Sequence, residues 1–174
     1  EIMKQEITVK AFFLSIFLSI VLSSAMAYLG LYAGMTISAS IPAAIMSMGI
    51  LKLFRESNIL ENNIVQTAAS AGESLAAGVI FTIPALLLIG YWDTIDYWEV
   101  TKIAMVGGIL GALFTVPLRR ALILKANLKF PEGVATAAVL KTGHESDAKK
   151  SSESLKIIGL SALVGGVVKL GELA

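Results

Sequence analysis

Residues 62 to 74, NNIVQTAASAGES, place amides, hydroxyls and one carboxylate between runs of Leu, Ile and Ala. Wound as a helix at about 100° per residue, Asn62, Asn63, Gln66, Thr67, Ser70, Glu73 and Ser74 fall within an arc of about 140°. Ala and Gly dominate the opposite side, together with Ile64, Val65 and Leu75. The polar side can exchange hydrogen bonds with a hydrated solute, and Glu73 can carry a proton or a cation. A helix resting on a membrane surface shows a similar separation, but with Lys or Arg on its polar face and Trp, Phe or Leu on the other. This stretch has no cation on its polar side, and its small residues suit contact with a neighbouring backbone. The pattern therefore predicts a helix inside a bundle whose polar side faces a cavity. An acidic side chain at the centre of a spanning helix costs roughly 2.5 to 3.5 kcal/mol on insertion scales, which makes Glu73 a functional candidate by default. The alternative is a Glu73 near the cytoplasmic end of the third span, hydrated and only capping or pairing.

A second segment, FPEGVATAAVLKTGH at 130 to 144, opens with residues that suit a helix start. The ring of Pro131 fixes φ, and the carboxylate of Glu132 favours the positive end of the helix dipole. Only Gly133 to Leu140 follow as small or apolar residues, too few to cross a bilayer. A half-helix re-entering from the cytoplasmic side would bring Pro131, Glu132, Gly133 and Thr136 to a substrate pathway, with free N–H groups for an anionic group. A cytoplasmic helix packed beneath the bundle satisfies the same residues.

The rest of the chain sets the solvent in which these segments fold. Of 174 residues, 56% are hydrophobic and 16% charged, with a mean hydropathy of +0.78, a composition that points to a bilayer. Lys and Arg number 14 against 13 Asp and Glu, so the charge balance gives no reason to expect a nucleic-acid partner. There is no cysteine and one histidine, His144, which removes thiolate sites and nearly excludes a zinc centre. No cofactor is expected.

A span takes about 20 mostly apolar residues, and five windows qualify: Ala11–Ala33, Thr36–Leu51, Ser74–Tyr91, Ile103–Leu118 and Leu155–Leu170. The first has a secretory signal as its alternative, with Ala25-Met26-Ala27 as a cleavage site. Its run continues to Ala33, long enough to span, and Glu1 and Glu6 are unusual in a signal's leading region. From Asn58 to Gly90 a continuous helix would measure about 50 Å against about 30 Å of hydrocarbon, so it must tilt, protrude or break, with Gly72, Gly78 and Pro84 as break points. The fold class is thus all-α: a polytopic membrane helix bundle of about five spans plus one short helix, either re-entrant or cytoplasmic. Residues 1–174 read as a single membrane domain, with a basic cytoplasmic or re-entrant segment at 119–154.

Cations gather on the cytoplasmic side of a membrane. Lys4 and Lys10 precede the first window, Lys52 and Arg55 follow the second, and seven Lys or Arg lie between Arg119 and Lys150, whereas the turns near Gly34 and between Tyr91 and Glu99 have none. This alternation predicts a cytoplasmic amino terminus in the cell membrane and an external acidic loop at YWDTIDYWE. Tyr91, Trp92, Tyr97 and Trp98 mark the outer interface as anchors. Small residues recur every fourth position at Ala11, Ser15, Ser19, Ser23 and Ala27, and Gly107 and Gly111 form a GxxxG, both seams for close helix packing.

The strings AYLGLYAGMTISASIPAA (27–44), NILENNIVQTAASAGESLAAGVIFTIPAL (58–86) and FPEGVATAAVL (130–140) resemble the amino-terminal part of the oligopeptide transporter (OPT) superfamily, in particular its prokaryotic branch. Tyr32 stands where many relatives have a basic residue, and Glu132 where the plant yellow stripe-like branch has Ser. The resemblance implies a secondary transporter, usually proton-coupled, that moves small peptides or metal–chelator complexes. It also implies well over a dozen helices, of which this chain supplies the first few, so that it reads as a fragment. The partners implied are the remaining transporter helices, the lipid bilayer, protons and a small peptide or metal-chelate substrate, with homo-oligomerisation left open. An intramembrane enzyme is the poorer reading, because the spans hold no Cys, no His and no close Asp pair. A small structural or assembly subunit is the remaining alternative.

Overall fold

The computed structural model describes residues 7–52, 58–126 and 128–145 and isolated positions between 157 and 171. The described residues form helices and connecting turns, with no strand among them. The predicted span Leu155–Leu170 falls largely outside the described residues, as do Lys4 and Arg55.

α1 (Val9–Ala33) begins where the Thr8 hydroxyl accepts the N–H of Ala11 at 3.2 Å. It ends at Gly34, whose φ of 71° lets its N–H return to the Gly30 carbonyl, a left-handed cap that favours glycine. α2 (Ser40–Lys52) is short, 13 residues or about 20 Å, and Pro42 lies in its first turn, where no backbone donor is needed. α3 (Ile59–Leu88) opens with a capping box: Asn58 Oδ1 accepts the Glu61 N–H at 2.9 Å, and Glu61 Oε2 accepts the Asn58 N–H at 3.1 Å. α4 (Tyr97–Leu118) is capped by Asp96, which accepts the N–H groups of Trp98 and Glu99, and continues into a π-helical stretch, Arg119–Lys125. α5 runs from Pro131 to Glu145.

Three helices, Val9–Ala33, Ile59–Leu88 and Tyr97–Lys125, are long and apolar enough to cross a membrane. The all-α membrane bundle expected from the sequence is what the chain forms. The second apolar window is the exception in length, since the turn 35–39 takes up its first residues and leaves a helix too short to span alone.

The largest interface joins α1 to α3, which run parallel: Ser15 and Ser19 lie beside Ile64 and Ala68, Ser19 and Ser23 beside Gly72, and Gly30 beside Ile80. The expected small-residue seam is the contact surface. Ala11 and Ser15 are buried, and a Cβ at Gly72 would collide with Ser19 Oγ. This also explains why α3 does not break at Gly72. The glycine admits the neighbouring helix instead of bending its own, and α3 continues through Gly78 and Pro84 as one helix. The other seam differs: nothing described lies within 4 Å of a Cβ at Gly107 or Gly111, and α4 has no buried residue.

α2 packs antiparallel to α3, with the Ser47 hydroxyl donating to Asn62 Oδ1 at 2.7 Å. Leu51, Ala39 and Ala43 complete the core that Leu14, Leu18, Leu22, Met26, Val65 and Ala69 form between α1 and α3. α5 packs along α2 in the same direction. Its first turn meets the Thr36–Ala39 turn through a hydrogen bond from Ser38 Oγ to Glu132 Oε1, and Gly143 near its end accepts from Lys52 Nζ. Ala44, Met48 and Leu140 form the apolar contact between them.

Candidate permeation site

Glu73 sits midway along α3, about 21 Å from Ile59 at the usual helical rise. Two short helices begin beside it. Its carboxylate accepts the backbone N–H of Ala39, immediately before α2, and it lies close enough to Glu132 in the first turn of α5 for the two charges to interact. Both helices then run back toward the end of α3 that carries Asn58. Residues 128–130 precede Pro131, and from there α5 leads away from the middle of α3. The first turn of α5 thus lies beside the middle of α3.

Two cavities open where these helix starts converge. The larger, about 910 Å³, lies between α3 and α5 and is lined by Asn63, Gln66, Thr67 and Ser70 from one helix and by Pro131, Glu132, Gly133, Thr136 and Lys141 from the other. Ile59, Leu60, Ile123, Phe130 and Leu140 supply its apolar wall. The smaller, about 420 Å³, is lined by Glu73, Ser70, Ser74 and Glu132 together with Thr36, Ser38 and Ser40. Ser40, Ser70 and Glu132 border both cavities. Glu132 therefore stands on the wall between them, with its carboxylate hydrogen-bonded to Ser38.

The amide ladder on α3 is organised along its own helix. Gln66 Nε2 donates to Asn63 Oδ1 at 3.1 Å and to Thr67 Oγ1 at 3.0 Å, and Thr67 Oγ1 donates to the Asn63 carbonyl at 2.7 Å. Such internal bonds hold the side chains in place; they use both Gln66 amide hydrogens and neither of those on Asn63 Nδ2. Thr136 differs. It is buried, 4% exposed, and its hydroxyl has no hydrogen-bond partner among the described residues. A buried hydroxyl left unpaired costs about 1–3 kcal/mol, so a polar group occupying the cavity gains by bonding to it.

The sequence-predicted residues divide as follows. Asn63, Gln66, Ser70, Pro131, Glu132, Gly133 and Thr136 border the larger cavity, and Glu73 borders the smaller one with Ser70 and Glu132. Asn62 borders neither. It is 1% exposed, receives the Ser47 hydroxyl and donates to the Asn58 carbonyl, because α2 covers that edge of the polar arc. Its place is structural, contrary to the expectation for this residue. Glu73 lies midway along α3 and is 6% exposed, so it is not freely hydrated, and it caps the approach to α2. Ser38, Ser40 and Lys141 went unread as site residues. The hydroxyls of Ser38 and Ser40 were visible before Pro42 as a helix-start pattern, whereas Lys141 had only its basic surroundings to mark it. Among the described residues no three His, Cys, Asp or Glu side chains gather as a metal site.

The profile of the family described as OPT oligopeptide transporter protein matches residues 6–171. The chain belongs to the OPT family. A curated relative from Haemophilus influenzae, named "Putative oligopeptide transporter", is 48% identical over 128 residues, which cover 74% of this chain and 20% of the relative. This OPT chain thus spans about a fifth of the length of the relative it matches. No solved structure matches it. Family membership accords with three membrane-capable helices among the described residues and a polar cleft at the centre of one of them.

Proposed function

We propose that this chain forms part of the substrate and ion pathway of a proton-coupled symporter for small peptides or metal–chelator complexes. The observation that carries the reading is the position of Glu73, buried midway along a membrane-length helix where α2 and α5 both start and two polar cavities meet. Broken or half-length helices whose amino-terminal ends point at a midplane site are a recurring device of secondary transporters, because free N–H groups there replace water for an ion or substrate. Glu73 takes the proton or coupling cation in the smaller cavity, and the amide side of α3 with the first turns of α5 contacts substrate in the larger one. The cargo is moved and not chemically converted, so no catalytic residue is assigned. The protein lies in the cell membrane with its amino terminus cytoplasmic, residues 1–174 forming one membrane domain together with the remaining transporter helices.

The test uses the complete transporter in proteoliposomes, with labelled peptides and iron chelates offered in the presence and absence of a pH gradient. Uptake of one class should rise with an inward proton gradient. Glu73→Gln should abolish that uptake or make it indifferent to the gradient. Unchanged uptake with unchanged pH dependence in Glu73→Gln rejects the role given to Glu73.

A further inference from the structure

Glu132 and Lys141 are the two ionisable side chains that border the larger cavity, and they lie toward its opposite ends along α5. Nine residues of helical rise separate them, about 13 to 14 Å. Between them lie uncharged groups: the amides of Asn63 and Gln66 across the cavity, and the unpaired, buried hydroxyl of Thr136 on α5 itself. Glu132 lies at the deep end, where its carboxylate already accepts from Ser38, and Lys141 lies at the end nearer Lys52 and Gly143. The cavity is therefore negative at one end, positive at the other and able to hydrogen-bond in the middle.

We infer that the larger cavity binds an extended zwitterion, with its ammonium group at Glu132, its carboxylate at Lys141 and a backbone-like polar group at Thr136. The inference rests on the transport reading above and adds the orientation of the substrate and Lys141 as a specificity-determining residue. Charge-assisted hydrogen bonds at two ends of a rigid helix select both the sign and the spacing of the ligand's charges. An extended chain advances at most about 3.3 to 3.6 Å per residue, so a chain of about four residues spans the two anchors. Lys141 is exposed on α5 and absent from the packed core, so its replacement leaves the fold intact.

Binding to the purified complete transporter tests this with four probes: tetra-alanine, its N-acetylated form, its C-terminal amide, and the ferric complex of an aminopolycarboxylate. Wild-type protein should bind free tetra-alanine at least about tenfold more tightly than either blocked form. Lys141→Ala should weaken the free and acetylated peptides by a similar factor and leave the amide unchanged, whereas Lys141→Arg retains wild-type selectivity. Glu132→Gln should weaken the free peptide and the amide and leave the acetylated peptide unchanged. If the anionic chelate binds in place of the peptides, the zwitterion inference fails, even where Lys141→Ala weakens that binding. Equal loss for acid and amide in Lys141→Ala, no loss for either, or no binding of any probe to wild type overturns the inference. Proton-driven uptake that ignores Lys141 overturns it while leaving the transport reading intact. A wild-type protein without proton-driven uptake overturns the transport reading instead.

Discussion

At the scale of single residues, Gly72 shows how one missing side chain sets the spacing of two helices. Its α-carbon faces Ser19 and Ser23 of α1, and any Cβ there meets the Ser19 hydroxyl. In a bilayer, where lipid tails compete equally for apolar surface, close backbone approach is a main source of helix association. Gly72→Leu should force α1 and α3 apart and destabilise the protein by about 1–3 kcal/mol, as overpacking does in other tight interfaces. Thermal unfolding in detergent measures it, and a melting temperature equal to wild type would show that the seam has slack. The same contact explains a limit of reading the sequence. A glycine in a long helix is a hinge or a contact depending on what lies beside it, and the partner here is more than forty positions away in the chain. Asn62 repeats the lesson at the edge of the polar arc. Periodicity alone groups it with Asn63 and Gln66, but Ser47 of α2 claims it. Ser47→Ala should leave the buried Asn62 amide short of a partner and cost about 1–3 kcal/mol without altering substrate selectivity, since neither residue borders a cavity. A changed selectivity in that variant would place Asn62 in the pathway after all.

At the scale of elements, α3 was legible because its polar and small residues separate cleanly at helical period, whereas the capping box of Asn58 and Glu61 at its start emerged only from the structure. α5 was legible as a helix but not as a depth. Pro131 and Glu132 announce its first turn, yet about eight apolar residues satisfy a helix beneath the membrane as well as one within it. Its position against α2 and α3 is decided by contacts that sequence does not display: Ser38 on Glu132 at one end and Lys52 on Gly143 at the other. These bind α5 to α2 along its length and set its first turn beside the middle of α3. Single cysteines can map this in the complete transporter, starting from a background in which these 174 residues contribute none. Cysteine at Lys141 should react readily with a membrane-impermeant maleimide added from the cytoplasmic side. Cysteine at Gly133 should react slowly, and more slowly still with a peptide substrate bound in the larger cavity. Equal and fast labelling at both positions would put α5 on the membrane surface and remove the half-helix from the pathway.

At the scale of the whole molecule, the parallel pairing of α1 and α3 constrains topology independently of charge. Helices that run side by side in the same direction begin on the same side of the membrane, so the chain must return between them, and α2 runs in the returning direction. The count of Lys and Arg around the apolar windows reaches the same arrangement from a different physical cause, the exclusion of cations from the external side. The two arguments share no premise: one rests on which surfaces fit, the other on where charge resides. Together they predict Thr8 and Asn58 on one side and the turn between Leu88 and Tyr97 on the other. Its rings at Tyr91, Tyr97 and Trp98 are exposed, as interfacial anchors require. Reporter tags inserted at these sites should give cytoplasmic signals at Thr8 and Asn58 and an external signal between Trp92 and Asp96. Opposite signals at Thr8 and Asn58 would be incompatible with a parallel α1–α3 pair. Because that pair carries the core on which α2 and α5 are mounted, such a result would also dismantle the meeting of helix starts at Glu73.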